Sequence, residues 1–400
     1  MDVSAIRKDF PVLKKEDAPI FFDSACTTLR PAQVIGAIND YYKNYPSCGG
    51  RSIHRFGTRV TLEVDDTRRR IHRFLNSERV EEIVFVKNTT EAINMIASTL
   101  DFEAGDVVLT TDKEHNSNLV PWHELSRKKG IKYGIVRSNE DNTFSIESLK
   151  EMMSKRVRLV SMVHTSNLDG HTIPAKQIAE VVHDYGGLFM MDGAQSAAHL
   201  PVDVQDLDVD FFACSIHKMC GPSGVGVLYG KHDLLERLDT FMVGGDTVSD
   251  SRYDGCEILG PPHKFEAGLQ NFSGIIGAGA AIDYLSRIGM DNVRNHGEAL
   301  NRRATKLLED LPGVEILGPS VESRGAILPF NMKGLDPHDI AMILDEVASI
   351  MIRSGMHCVH SWFNAHGVKG CARASFYIYN NDEEVDVFGE QISKISEQFS

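Results

Sequence analysis

Long apolar runs are missing from this 400-residue chain. No window approaches the roughly 18 uninterrupted apolar residues that cross a bilayer, and the opening Met-Asp-Val-Ser-Ala-Ile-Arg-Lys-Asp-Phe lacks the apolar core of a secretory signal. A cytoplasmic protein with no membrane partner is the expectation. Positive charge is also scarce: 42 Lys and Arg stand against 56 Asp and Glu, a net charge of −14. Phosphate backbones are bound by clustered cations, so no nucleic-acid partner is expected. The short run Arg68-Arg69-Arg70 reads as a solvated helix face. Seven cysteines (26, 48, 214, 220, 256, 358, 371) form no C-x-x-C pair and are odd in number. That excludes a zinc knuckle and a complete disulfide framework, so no metal is expected and most thiols read as small buried side chains. Internal repeats, low-complexity tracts and long linkers are absent.

What is present is an ordinary globular composition, 42% apolar and 24% charged, in a chain long enough for two domains. Strands at 81–86 and 106–111, and short, continuously apolar ones at 158–164 and 187–192, alternate with helical spacing at 90–100 and 175–185. This predicts an α/β sheet covered by helices on both faces. After Phe265-Glu-Ala-Gly the pattern changes to one long helical stretch, Gly274 through Leu308, then a smaller α+β segment ending in a charged amphipathic helix. The expected organisation is a large domain over 18–266, with residues 1–17 and 267–400 forming a small one.

Ligands of an open α/β sheet bind at the carboxyl ends of its strands, and the chemically capable residues fall there. Lys218, in Ser-Ile-His-Lys-Met-Cys-Gly-Pro (215–222), follows Asp192 by twenty-six residues. A lysine amine and a strand-end carboxylate are the two protein groups a pyridoxal phosphate enzyme needs, one for the aldehyde and one for the ring nitrogen. Asp192 taken alone reads equally as a helix N-cap. Thr89 and Thr90 lie between a strand and a helix, where hydroxyls and free N–H groups take an anion such as phosphate; a plain Thr cap is the simpler alternative. Asn167 and Gln195 follow two strand ends, and either amide could donate to a ring phenolate oxygen or cap a helix. His115 offers a flat imidazole that can stack on a pyridine face and, as a catalytic group, pass protons near neutral pH; a lone histidine would usually be a surface residue.

Seven segments in order, Thr-Thr-Glu-Ala-Ile-Asn (89–94), Glu-His-x-x-Asn-x-Val-Pro-Trp (114–122), Ser-Asn-x-x-Gly (166–170), Asp-Gly-Ala-Gln (192–195), Ser-x-His-Lys-x-x-Gly-Pro-x-Gly-x-Gly (215–226), Phe-Glu-Ala-Gly (265–268) and Arg-x-Gly-x-His-Cys (353–358), resemble the Suf-type cysteine desulfurases. These are class V aminotransferase relatives among the fold-type I pyridoxal phosphate enzymes. The resemblance runs from Phe22-Asp-Ser-Ala to Arg373-Ala-Ser-Phe and implies a mostly parallel seven-stranded sheet between helices. It also implies a homodimer acting on L-cysteine and passing sulfur to an acceptor protein or iron–sulfur scaffold.

By that resemblance Lys218 would bind the cofactor aldehyde, Asp192 would pair with the ring nitrogen and His115 would stack on the ring. Gln195 and Asn167 would sit at the phenolate edge, and Thr89, Thr90, Ser215 and His217 would hold the phosphate. Arg373 would clamp the substrate carboxylate, with Arg353 the alternative clamp, and Cys358 would carry the sulfur as a persulfide. His357 beside it is read as contributing to an electropositive, mobile setting, and His357 and Asn167 are also expected to bind substrate. The fifteen residues from Cys358 to Arg373 match the short-loop group.

Three positions depart from the family pattern: Gly50 replaces a histidine, Met356 replaces another, and Leu269 replaces a threonine that reaches the partner subunit's phosphate. Leu cannot donate a hydrogen bond, so Gln270 or a water is expected to substitute. Cys26 and Cys256 are extra thiols, both read as buried packing. A selenocysteine lyase or another class V lyase would need Arg373 and the cofactor without needing Cys358. A non-catalytic scaffold would need none of Lys218, Asp192 and Cys358.

Overall fold

A computed structural model describes residues 1–399. Seven strands form the main sheet: β1 (Ile83–Val86), β2 (Val107–Thr111), β3 (Lys132–Val136), β4 (Val157–Val163), β5 (Leu188–Asp192), β6 (Phe211–Ser215) and β7 (Gly226–Gly230). Their order is β1-β7-β6-β5-β4-β2-β3, and only β7 runs antiparallel to its neighbours. Alternate residues of one strand enter different cores. Ile83 and Phe85 join the cluster under helices Arg55–Leu75, Ala175–Asp184 and Phe272–Ile288, while Val84 and Val86 join the cluster under Thr89–Thr99 and Val120–Lys129. Both faces are covered, which is why these strands read as unbroken apolar runs rather than as alternation.

A second sheet, antiparallel and four-stranded, runs Val314–Ile316, Ile327–Met332, Cys371–Ser375, Arg353–Gly355 in spatial order. Helices Met290–Leu308, Pro337–Ala348 and the amphipathic Asp382–Phe399 pack on it around a separate core. Phe22 lies in that core, Ile20–Phe21 pairs with Ile350–Met351, and Asp23 bridges to Ser375.

The single helix expected over 274–308 is two, Phe272–Ile288 and Met290–Leu308. Gly289 divides them at φ 84°, a left-handed conformation that costs glycine little and ends the helix as a C-terminal cap. Most thiols are not buried: Cys214, Cys220 and Cys371 are, but Cys48, Cys256 and Cys358 are exposed and Cys26 is intermediate. Cys256 sits on the exposed hairpin of Val248–Arg252 and Gly255–Ile258, not in packing.

Arg68 also departs from its expectation. Successive helical residues point about 100° apart, so a run of three arginines cannot share one face, and Arg68 turns inward. It meets Glu266 through two hydrogen bonds of 2.8 and 2.9 Å and donates to the Ile83 carbonyl, while Glu266 accepts from Phe85 N at 2.7 Å. The pair staples the first large helix and the chain before the domain connection to β1. Truncation would strand the Glu266 carboxylate, so Arg68→Ala is expected to lower unfolding free energy by about 3–5 kcal/mol. Exposed Arg69→Ala should stay within about 0.5 kcal/mol. Urea denaturation midpoints of the two variants check the contrast.

Candidate active site

The carboxyl ends of the sheet strands and the loop before the last small-sheet strand enclose a cavity of about 240 Å³. Parallel register sets its floor: Val163 lies opposite Asp192, and Asp192 opposite Ala213. Gly193 makes the sharp exit from β5 possible, because a Cβ there would fall 1.9 Å from the Phe212 ring.

Lys218 ends the single turn Ile216–Lys218 after β6 and is partly accessible through the cavity. Burial lowers its amine below the ordinary lysine range, against the pull of Asp192. Asp192 is buried; burial raises its carboxyl, while the Ala194 N–H, at 2.9 Å from Oδ1, and the Lys218 charge lower it. His115 caps the turn 116–118 by accepting from Ser117 N at 3.0 Å through Nδ1. Burial, with the charges of Lys218, Arg373 and His360, takes its imidazole down to about 4, so it is neutral at pH 7.

The helix starting at Thr89 is capped by Asn88, whose side chain accepts from Glu91 N, so the threonines are not the cap. Their hydroxyls are pooled with two serines instead: Thr89 with Ser215 at 2.7 Å and Thr90 with Ser117 at 2.7 Å. His217 lines the same wall, and burial beside Lys218 and Arg30 brings its ring to about 4. Four hydroxyls at a helix N-terminus form an anion cradle.

Glu114, not singled out by its sequence, braces this region. Its Oε1 accepts from Thr111 N, Thr111 Oγ1 and Val163 N, and its Oε2 from Asn118 Nδ2. The carboxyl group, pushed up to about 8 by burial, thus ties the end of β2 to the end of β4 immediately before His115.

Arg373 enters from the small sheet, 3% exposed, donating through Nη1 to the Asn167 carbonyl at 2.7 Å. Its other neighbour is Asp23, at 3.4 Å from Nη2, and its Nε has no partner among the described residues. Asp23 also faces Arg353 at 3.8 Å, so it lies between the two arginines. Sequence reasoning passed over it because 350 residues separate it from Arg373; the strand bridge Asp23–Ser375 brings them together. Cys26 lines the cavity as well, with Arg353 Nη1 donating to its sulfur at 3.3 Å.

Cys358 and His357 both have left-handed backbone, φ 60° and 48°. Asn116 N donates to Cys358 O at 2.7 Å and Asn167 Nδ2 to His357 O at 2.8 Å, so the main chain is tied down while the Cys358 side chain is exposed. The electropositive role read for His357 does not hold. Its ring is buried, Nε2 lies 3.1 Å from Cys371 O and 3.2 Å from Cys371 Sγ, and burial near Arg373 brings it to about 2, a neutral imidazole. Gln270 stands outside the cavity, turned to the Ala267 and Gly268 carbonyls, and Leu269 is 72% exposed. The other residues to which the resemblance gave a cofactor, substrate or sulfur role line one space.

These residues fit pyridoxal phosphate. Buried acceptor oxygens of Asn167 and Gln195 and the Nε of Arg373 point into the region without partners. Buried polar atoms are ordinarily satisfied, so their joint orphaning marks a polar ligand. The donor set matches in kind: a carboxyl for a pyridine nitrogen, an amine for an aldehyde, and hydroxyls at a helix start for a phosphate.

The chain matches the family model described as aminotransferase class-V over residues 20–388. It is 38% identical to a cysteine desulfurase of Haloferax volcanii over 419 residues, covering 100% of this chain and 98% of that protein. The apo structure of a cysteine desulfurase from Thermococcus onnurineus NA1 superposes with a TM-score of 0.95 at 35% identity, covering 99% of this chain and 98% of that one. A cysteine desulfurase from Escherichia coli, in an S-sulfonic acid form, gives 0.93 at 31% identity with 100% of each chain covered.

Buried neutral histidines around the site make stability acid-sensitive. His164, just past β4, is fully enclosed and burial lowers it from 6.5 to about 4. Because its folded pKa lies below the unfolded one, the unfolded chain binds the extra proton first, and stability falls as pH drops from 6.5 toward 4. At pH 5 one such group has removed about 2 kcal/mol relative to pH 7. His164→Asn should reduce the pH 7 to pH 5 difference in unfolding free energy by that amount; an unchanged difference would show that His164 takes up its proton alike in the folded and unfolded chain.

Proposed function

The chain belongs to the aminotransferase class-V family and is a pyridoxal-phosphate-dependent cysteine desulfurase; we propose that Cys358 is its sulfur carrier and Lys218 its cofactor-binding lysine. One observation carries the reading: an exposed cysteine, a lysine with a burial-lowered amine and an undercompensated arginine line the same cavity.

Lys218 and Asp192 would hold the cofactor's aldehyde and ring-nitrogen ends, the Thr89, Thr90, Ser117 and Ser215 hydroxyls its phosphate, and neutral His115 its ring face. When bound, pyridoxal phosphate supplies an electron sink that takes up the pair left on Cα and weakens the substrate Cβ–S bond. The remaining steps belong to the protein. Arg373 receives the substrate carboxylate on Nη2 and Nε, because Nη1 is engaged by Asn167. Lys218 Nζ takes the Cα proton, which a lowered amine pKa favours near neutral pH. Cys358 Sγ then attacks the substrate sulfur. An S–S bond forms, the Cβ–S bond breaks, and its electron pair stays with the carbon skeleton that leaves, protonated, as alanine.

Exposure of Cys358 on a tied loop suits hand-off to an acceptor protein. Assembly as a homodimer is part of the proposal. Tyr42, Ile53, Leu62, Met242, Val243 and Leu269 are exposed apolar residues on segments that meet through the Ser273–Tyr42 and Arg51–Val248 hydrogen bonds. An unpartnered apolar region of this kind marks an interface.

Purified protein given L-cysteine should yield alanine, with sulfide appearing when a thiol reductant is supplied. Lys218→Ala should lose all alanine formation, and full turnover in that variant would sink the assignment. Cys358→Ala should bind cysteine without sustained sulfur release; sulfide produced at the normal rate would favour a lyase that needs no cysteine. Arg373→Lys should cost about 2 kcal/mol in kcat/KM, chiefly through KM, by loss of the fork that reads a carboxylate. An unchanged KM for cysteine would transfer the clamp to Arg353.

A further inference from the structure

Two cysteines, not one, face the cavity. Cys358 lies on the loop after Arg353–Gly355, and Cys26 lies on the Asp23–Thr27 loop across from it, both among the cavity-lining residues with Lys218. Arg353 ties the two loops together, since it stands five residues before Cys358 and donates to the Cys26 sulfur at 3.3 Å. The Cys26 backbone is held on each side. Ala25 N donates to Ser375 Oγ and Ala25 O accepts from Gln195 Nε2, while Thr27 Oγ1 donates to the His217 carbonyl.

Other cysteines lack this placement. Cys214, Cys220 and Cys371 are enclosed, their thiols pushed up to about 12 by burial. Cys48 and Cys256 are exposed outside the cavity. Cys26 shares its cavity with the unpartnered Nε of Arg373 and Oε1 of Gln195, so its thiol faces the space that the polar ligand of the site enters.

We propose that Cys26 is a second sulfur station, receiving the sulfane sulfur from a Cys358 persulfide inside the active-site cavity. This rests on Cys358 being the primary carrier. Cys26 Sγ attacks the outer sulfur of the persulfide, and an S–S bond forms on Cys26. The S–S bond on Cys358 breaks, its electron pair leaves with Cys358 Sγ, and the proton given up by Cys26 ends on Cys358. Persulfide and thiol exchange places with no net oxidation, so no further reactant is required. The added S–S bond, about 2 Å long, extends the reach of Cys358 toward the held thiol. Cys358 is then free for another turnover while the first sulfur is stored behind it.

The test uses intact holoenzyme given excess L-cysteine without reductant, acid quench, thiol alkylation and peptide mass spectrometry, with total sulfane sulfur measured in parallel. Expected are persulfide on both the Cys358 and Cys26 peptides of the wild type, an about twofold lower sulfane-sulfur load in Cys26→Ser, and an unmodified Cys26 peptide in Cys358→Ser. Sulfur on Cys358 alone would overturn the relay and leave the desulfurase reading intact. Sulfur on Cys26 in Cys358→Ser would overturn it by showing direct loading. A Cys26–Cys358 disulfide with free sulfide would place the attack on the inner sulfur and overturn it too, as would equal labelling of exposed Cys48 and Cys256. Absence of sulfur from both active-site cysteines in a protein that makes alanine would refute the assignment of Cys358 itself.

Discussion

One register holds the site together. Val163, Asp192 and Ala213 lie side by side on three parallel strands, and Asn167, Gln195 and Lys218 each follow within five residues. A slip of one residue in β5 would turn Asp192 to the opposite face of the sheet. The slip is prevented from below, because Met190 and the pair Phe189 and Met191 belong to different cores. Burial on both faces therefore fixes a carboxylate at the top, although no core residue touches a ligand. Glu114 adds a cross-tie between β2 and β4, so the His115 loop is set by the same frame.

The frame places charges where water is scarce. Burial acts oppositely on Asp192 and Lys218, raising the acid and lowering the amine, so the enclosed pair is drawn toward neutrality. His115, His217 and His357 are neutral at pH 7 for the same reason. The fixed positive charge facing the cavity belongs to Arg353 and Arg373, and Asp23 answers both at distances of 3.4 Å or more. Arg373 is 3% exposed with only that carboxylate near it, so it carries an undercompensated charge. An incoming carboxylate is worth more to such a group than to an arginine already in a tight bidentate pair.

Much of this was legible from residue order. Apolar runs ending in Asp192 and Ser215 announced strands buried on both faces, and chemistry placed at strand ends follows from that architecture. The failures share a cause. Arg68 was read from its neighbours in sequence, but its partner Glu266 is 198 residues away. His357 was read from the adjacent cysteine, whereas its ring turns to Cys371. Asp23 stands in Phe22-Asp-Ser-Ala, where the resemblance begins, but nothing beside it in sequence points to Arg373 or Arg353. Gly289 is an instance of the reverse, since a single glycine inside a long helical pattern is permitted by propensity alone, and its left-handed φ turns the chain from a helix packed on the first core into one that starts on that core at Val293 and ends in the other at Leu300, Ala304 and Leu308.

The Cys358 loop shows how the two sheets are coupled. Two consecutive non-glycine residues at positive φ store about 1–3 kcal/mol each, which a free loop would relax. Here Asn116 and Asn167, both on the large sheet's loops, hold the carbonyls of Cys358 and His357. Asn167 has a second task, because its own carbonyl accepts from Arg373. One asparagine thus anchors both Arg373 and the strained turn that bears Cys358. Its remaining oxygen is unpartnered and buried, so a ligand that engages Asn167 bears on both at once. Arg373 and the Cys358 turn are therefore both referred to one third residue, which holds the turn through its side-chain amide and the arginine through its own carbonyl.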